Sequence, residues 1–282
     1  MEGSQVELSL SMYSMHRAVK EKDWGTVDFL RFCSGENYRL VELLAHFWKD
    51  VRTELDDVVS TAKSLGIGVT SYAVSNNFVS ADSALREQAL RKITDGLPIA
   101  AELGTNVIRV FSGSLAEGIQ YEDAKGWIIE GLKEACREAE RAGMTLCLEN
   151  HGKLAGKGAQ VKGLIDQVGS PALKSTFDTG NFLLVDEHPL QAFSDLKGYI
   201  GHVHFKDFKE QPNGRYKSIG LRAYEGVPAG EGDAELPRIL DLLAASGYNG
   251  AYVLEYEGTG VEADGIRQSY TRFEEMTRKY NG

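Results

Sequence analysis

The stretch IGHVHFKD, residues 200–207, places His202 and His204 two residues apart and then ends in Lys206 and Asp207. Alternate residues of a strand share a face, so both histidines point the same way. Either they are hydrogen-bonded core histidines or one is a ligand at the rim of a site. Reading outward from this run, β-rich segments recur at 6–13, 39–46, 68–75, 106–113, 144–150, 173–180 and 250–257. Between them lie patterns with apolar residues at i, i+3 and i+4, as in 51–66, 84–104 and 127–143, and a last helix covers 265–280. Strands that alternate with crossover helices pair in parallel. Eight such units without a Rossmann glycine fingerprint predict an α/β fold, a single (β/α)8 TIM barrel, with 1–282 as one domain.

Bulk properties agree with that reading. The chain has 282 residues, 42% of them apolar and 26% charged, which suits a barrel of about 250 residues and not a disordered chain. A net charge of −10 argues against nucleic acid as a partner, since phosphate binding rests on Lys and Arg. Cys33, Cys136 and Cys147 are odd in number and far apart, so they are expected to be reduced core thiols. No basic segment followed by an apolar run opens the sequence, and no stretch reaches the roughly 18 apolar residues of a membrane span. The expectation is a cytoplasmic protein with no membrane partner.

Chemistry in such barrels gathers at the carboxyl ends of the strands. The fifth strand ends at Glu149, the sixth at Asp178, the seventh at His204 and the eighth at Glu255. Alternation lets all four point inward at one level. Three carboxylates and an imidazole suit a hard or borderline divalent ion, Mn²⁺, Mg²⁺ or Co²⁺, better than a thiolate-seeking metal. Three isolated buried carboxylates would each be costly.

The set LEN, FDTG, HVHFKD and LEYEG, in this order on the last four strands, resembles the sugar phosphate isomerase/epimerase group with a xylose isomerase-like TIM barrel. Ketose 3-epimerases, hydroxypyruvate isomerase and inosose dehydratase look like members, and endonuclease IV like a relative. The resemblance implies metal ligands at Glu149, Asp178, His204 and Glu255, with Glu149 and Glu255 also moving protons. It implies a small carbohydrate substrate and an enediolate formed next to a carbonyl. His151, two residues past Glu149, is a further acid/base candidate. His202, Lys206, Asp207, Asn181, Asn76 and Tyr13 are candidate substrate contacts.

The chain departs from familiar ketose 3-epimerases at three places. Asn181 stands where they carry histidine, Ala155 where they carry glutamate, and FKDFKE follows His204 in place of a Gly-Glu-x-x-Arg pattern. The runner-up is therefore a lyase on the same site, either inosose-dehydratase-like or a subunit cleaving keto-glycosides or C-glycosides, the latter needing a second chain. A homo-oligomer is left open. The connection 208–232 carries Lys209, Arg215, Lys217 and Arg222 and several glycines, and reads as a mobile lid or a solvated face. Glu42 reads as a buried charge near the pocket or as the partner of an arginine.

Overall fold

A computed structural model describes residues 6–280. The barrel strands are β1 (Leu8–Ser11), β2 (Leu40–Leu44), β3 (Gly68–Ala73), β4 (Val107–Val110), β5 (Thr145–Glu149), β6 (Leu173–Asp178), β7 (Ile200–Phe205) and β11 (Tyr252–Leu254). They close in the order β1-β11-β7-β6-β5-β4-β3-β2, every pair parallel. All eight fall within the runs picked out in the sequence. The helices are α1 (His16–Glu21), α2 (Thr26–Gly35), α3 (Val51–Leu65), α4 (Ser83–Glu102), α5 (Tyr121–Ala142), α6 (Gly158–Val168), α7 (Pro189–Leu196), α8 (Leu236–Ala245) and α9 (Glu262–Thr277). Helix α5 starts six residues before the Trp127 expected from periodicity, and α9 three residues before Gly265.

Alternation along the strands separates two environments. Leu8, Leu10, Val41, Leu43, Ile108, Leu146, Leu148, Phe177, Val203, Phe205 and Leu254 are buried against the helical ring. Phe177 meets Phe193 of α7, and Phe205 meets Phe273 of α9, edge to face. The intervening positions are polar: Ser9, Ser11, Glu42, Ser71, Arg109, Thr176, His202 and His204 are buried inside the barrel. The apolar core is thus a sleeve around a polar axis. The three cysteines are buried and free, two on helices and Cys147 on β5.

The long connection after β7 is not a mobile lid by its hydrogen bonding. It folds into a three-stranded antiparallel sheet of β8 (Phe208–Glu210), β9 (Tyr216–Lys217) and β10 (Ala223–Gly226). Asp207 anchors its return, accepting from the backbone N–H groups of Gly230, Gly232 and Ala234 at 2.9, 2.9 and 3.1 Å. The glycines here serve close approach rather than hinging. A Cβ on Gly226 would lie 2.4 Å from the Glu257 carbonyl oxygen, and one on Gly232 2.2 Å from Asp207 Oδ1. Arg215 pairs with Glu225 and Arg222 with Asp186, while Lys209 and Lys217 are exposed.

Asp207 is therefore a loop anchor and not the substrate contact expected from sequence. Replacing Asp207 with Ala leaves three backbone donors without their acceptor and should lower stability by on the order of 2–4 kcal/mol. Chemical denaturation checks this, and a change below about 0.5 kcal/mol would contradict the anchoring role.

Candidate active site

The site forms where the polar axis reaches the carboxyl ends of β5, β6, β7 and β11. Register explains why four residues meet there. Glu149 pairs with Thr176, so Asp178 stands two residues further up β6. Asp178 pairs directly with His204. His204 pairs with Val253, so Glu255 stands two residues further up. Tilted barrel strands stagger in this way, and the stagger brings staggered partners to one height. One ligand atom from each of Glu149, Asp178, His204 and Glu255 lies within 4.8 Å of all the others.

His204 Nδ1 faces this group, 3.5 Å from Glu149 Oε2 and 3.8 Å from both Asp178 Oδ2 and Glu255 Oε2. Its other nitrogen, Nε2, lies 3.1 Å from Glu42 Oε2. Burial pushes the Glu42 carboxyl up, but His204 and His202 outweigh it and hold it well below the usual range. Glu42 is thus ionised and accepts from Nε2–H, which turns Nδ1 toward the cluster, where it is free to bind an ion once it has given up its proton. Burial likewise opposes a proton on His204, yet Glu42, Glu255 and Glu149 raise its affinity for a second one well above the ordinary value.

Among the described residues, Glu149 Oε2, Asp178 Oδ2 and His204 Nδ1 are buried with no hydrogen-bond partner. Buried polar atoms seldom lack hydrogen bonds, and these three, with Glu255 beside them and ion pairs to Arg109 and Lys206 at two of them, converge with the spacing of a divalent cation's ligands. Oxygen-rich donors with one imidazole suit Mn²⁺, Mg²⁺ or Co²⁺. A second group, Glu42 with His202 and His204, also has ligand spacing. Its atoms are already satisfied: Glu42 accepts from Ser11 and Ser71 as well as from the two histidines, at 2.8 to 3.1 Å.

Two cations line the cluster. Arg109 Nε lies 3.1 Å from Glu149 Oε2, and Arg109 also donates to the Val74 carbonyl and covers the Phe111 ring. Lys206 Nζ lies 3.2 Å from Asp178 Oδ2 and 2.7 Å from Glu257 Oε1, and pairs with Glu255. Burial pushes the Glu149 carboxyl up to about 7, against the pull of Arg109 and His204. Burial also raises Asp178, but Lys206 and His204 overcome it and hold it below its ordinary value.

The remaining expected residues divide. Asn181 donates to Glu149 Oε1 and to the Asn150 carbonyl at 3.1 Å each, and so touches the cluster. Tyr13 is half-buried beside it, its hydroxyl raised by burial and by Glu257 and Glu255. His151 lies on the open side, its ring 5.0 Å from that of Phe111, and burial with Lys206 nearby lowers its proton affinity. His202 is a correction: it is 1% exposed and bonded to Glu42 beneath the cluster, out of reach of a substrate. Asn76 is another. Its amide closes a two-way pair with the Phe111 peptide at 2.6 and 2.8 Å, so it ties the end of β3 to β4. Asn150 ties β5 to Asp178 in the same fashion, at 2.9 and 2.7 Å.

Sequence reasoning passed over Arg109 and Glu257, and left Glu42 open between a buried charge near the pocket, which it is, and the partner of an arginine, where the structure has two histidines and two serines. Signals existed for the first two. Arg109 is the lone charge in VIRV, and Glu257 sits two residues past Glu255, hence on its face.

Residues 30–276 match the family of xylose isomerase-like TIM barrels, and the chain belongs to that family. Among individual relatives, L-ribulose-5-phosphate 3-epimerase UlaE of Salmonella typhi is 26% identical over 203 residues, covering 70% of this chain and 68% of its own. A D-tagatose 3-epimerase-like protein superposes with a TM-score of 0.78 at 18% identity, covering 98% of both chains. A xylose isomerase-like TIM barrel protein from Mycobacterium smegmatis, solved in complex with magnesium, gives a TM-score of 0.76 at 14% identity over 100% of both chains. Among the described residues no helix is long and apolar enough to cross a membrane.

Replacing Glu42 with Ala strands two histidine N–H groups and two serine hydroxyls in the barrel axis. The expected loss of stability is roughly 3–5 kcal/mol, read by urea denaturation. A variant within about 1 kcal/mol of the parent would show that Glu42 does not hold the histidines.

Proposed function

We propose that the protein is a divalent-metal-dependent epimerase or isomerase acting on a keto-sugar or related polyol. The observation that carries this is the convergence of one ligand atom from each of Glu149, Asp178, His204 and Glu255 within 4.8 Å of one another, all four residues buried. The names of the relatives, ketose-phosphate and ketose 3-epimerases, support the substrate class. Glu149, Asp178, His204 through Nδ1, and Glu255 would hold the ion. When bound, it supplies a Lewis acid that polarises the substrate's carbonyl and adjacent hydroxyl oxygens.

The proton chemistry belongs to the side chains. Strands β5 and β11 are separated by β6 and β7 around the barrel, so Glu149 and Glu255 reach the cluster from facing walls. A proton taken by one from the carbon beside the carbonyl leaves an enediolate. Return by the other to the opposite face inverts that carbon, and return to the neighbouring carbon moves the carbonyl. Before an ion binds, burial pushes the Glu149 carboxyl up to about 7, so it holds a proton more readily than an ordinary carboxylate, which suits a group that takes and gives one. Asn181 fixes the far oxygen of Glu149, and Arg109 limits how far its proton affinity rises. His151 is a further acid/base for substrate oxygens on the open side. If such an oxygen left as hydroxide, the same enediolate would collapse by loss of water, which is the lyase alternative.

NMR in D₂O over a panel of ketoses, inososes and 3-keto-glycosides tests the reading. Deuterium should enter a carbon next to the carbonyl with the molecular formula otherwise retained, and Glu149→Gln should cut the rate by about 10²–10⁴-fold with an unchanged circular dichroism spectrum. Loss of water or of an aglycone would instead establish the lyase, and full activity in Glu149→Gln would remove this residue from the chemistry.

A pH dependence follows as well. Metal binding requires ionised Glu149 and an unprotonated His204 Nδ1, both of which favour a proton here. Mn²⁺ affinity should fall as the pH drops below about 7, with protons released on binding. Calorimetry in two buffers of different ionisation heat reads the release, and an affinity constant from about pH 6 to pH 8 would contradict the ligand assignment.

A further inference from the structure

Lys206 follows His204 by two residues, just past the end of the seventh strand, and it puts an ammonium among the candidate ligands. The side chain is 4% exposed, with Nζ 3.2 Å from Asp178 Oδ2, 2.7 Å from Glu257 Oε1 and paired to Glu255 Oε2. Asp178 Oδ2 and Glu255 Oε2 are the same two atoms that face His204 Nδ1 at 3.8 Å. Half of the ligand set is thus claimed by a side-chain cation.

Two cations cannot hold these oxygens on equal terms. A small divalent ion needs its oxygens at about 2.1 Å, and an ammonium hydrogen-bonded to the same oxygens would then stand within a few ångströms of it. Like charges that close in a poorly hydrated site repel strongly. Glu257 offers the ammonium another partner. It is outside the ligand set, already touches Nζ, and is fixed from the cap sheet by the Tyr216 hydroxyl. Asn181 Oδ1, 3.5 Å from Nζ, borders the same position.

We propose that Lys206 is a built-in counter-cation that competes with the divalent ion for Asp178 and Glu255, and that Glu257 receives its ammonium once the ion has taken them. The inference rests on the metal-centre reading above. Loading the ion is then an exchange, one ammonium shifting so that one divalent ion enters, and the carboxylates never face each other without a cation between them. Affinity for the ion is lower than the four ligands alone would give.

The test is calorimetric titration of Mn²⁺ into chelator-treated wild type, Lys206→Met, Lys206→Gln, Glu257→Gln and the Lys206→Met/Glu257→Gln double variant. Both Lys206 variants should bind Mn²⁺ with a Kd about tenfold or more below wild type, and should melt at a lower temperature than wild type before Mn²⁺ is added. Glu257→Gln should weaken binding, and that loss should shrink when Lys206 is already gone. A Lys206 that merely packs the site would give variants that bind Mn²⁺ more weakly, not more tightly. Wild-type binding with no tightening in either Lys206 variant overturns the competition alone. Absence of Mn²⁺ binding in every protein overturns the metal reading and the inference with it.

Discussion

Four carboxylates, the buried ones of Glu149, Asp178 and Glu255 and the partly buried one of Glu257, converge at one end of the barrel, and their mutual repulsion has to be offset by positive charge. Taking even one carboxylate out of water is unfavourable by several kcal/mol, of order, unless it is paired. Arg109 answers Glu149 and Lys206 answers the other three, and the proposed divalent ion would add its charge beside His204 Nδ1. Beneath them a fifth carboxylate, Glu42, has a different solution: two serines and two histidines saturate it. The contrast is one of proton affinity: the saturated Glu42 carboxyl is held as an anion, whereas burial pushes Glu149 up to about 7.

Fold and site are linked through this polar axis. Because the strands turn their apolar side chains outward to the helices, the interior is free to carry Ser11, Glu42, Ser71 and His202 as a hydrogen-bonded layer. That layer fixes the ring of His204, which sets the nitrogen it presents upward. Strand stagger then raises Glu149, Asp178 and Glu255 to the same height. Asn76 and Asn150 lock consecutive strand ends, and Asp207 with Gly226 and Gly232 clamps the small sheet beside the mouth. Residues that do no chemistry thus hold the reacting groups in place.

Much of this was legible in the sequence. Alternation and punctuation located all eight strands, and strand ends placed Glu149, Asp178, His204 and Glu255 together at one end of the barrel, because both follow from local periodicity. The layer beneath was not legible. Glu42 meets His202 and His204 across the barrel interior from a strand three steps away, and no local pattern encodes that closure. Asp207 and Asn76 looked like site residues because they are polar and follow strands, yet backbone donors and acceptors claim them. The glycines after β7 suggested mobility, whereas close backbone approach demands them, a constraint visible only once the chain is folded.

The account stands on one cation at one place. Crystals soaked in Mn²⁺ and measured at the manganese absorption edge would locate it directly. The account predicts a single anomalous peak bonded to Glu149, Asp178, His204 Nδ1 and Glu255, with the Lys206 ammonium on Glu257. A peak bonded elsewhere, or Lys206 still bridging Asp178 and Glu255 with no manganese between them, would contradict it.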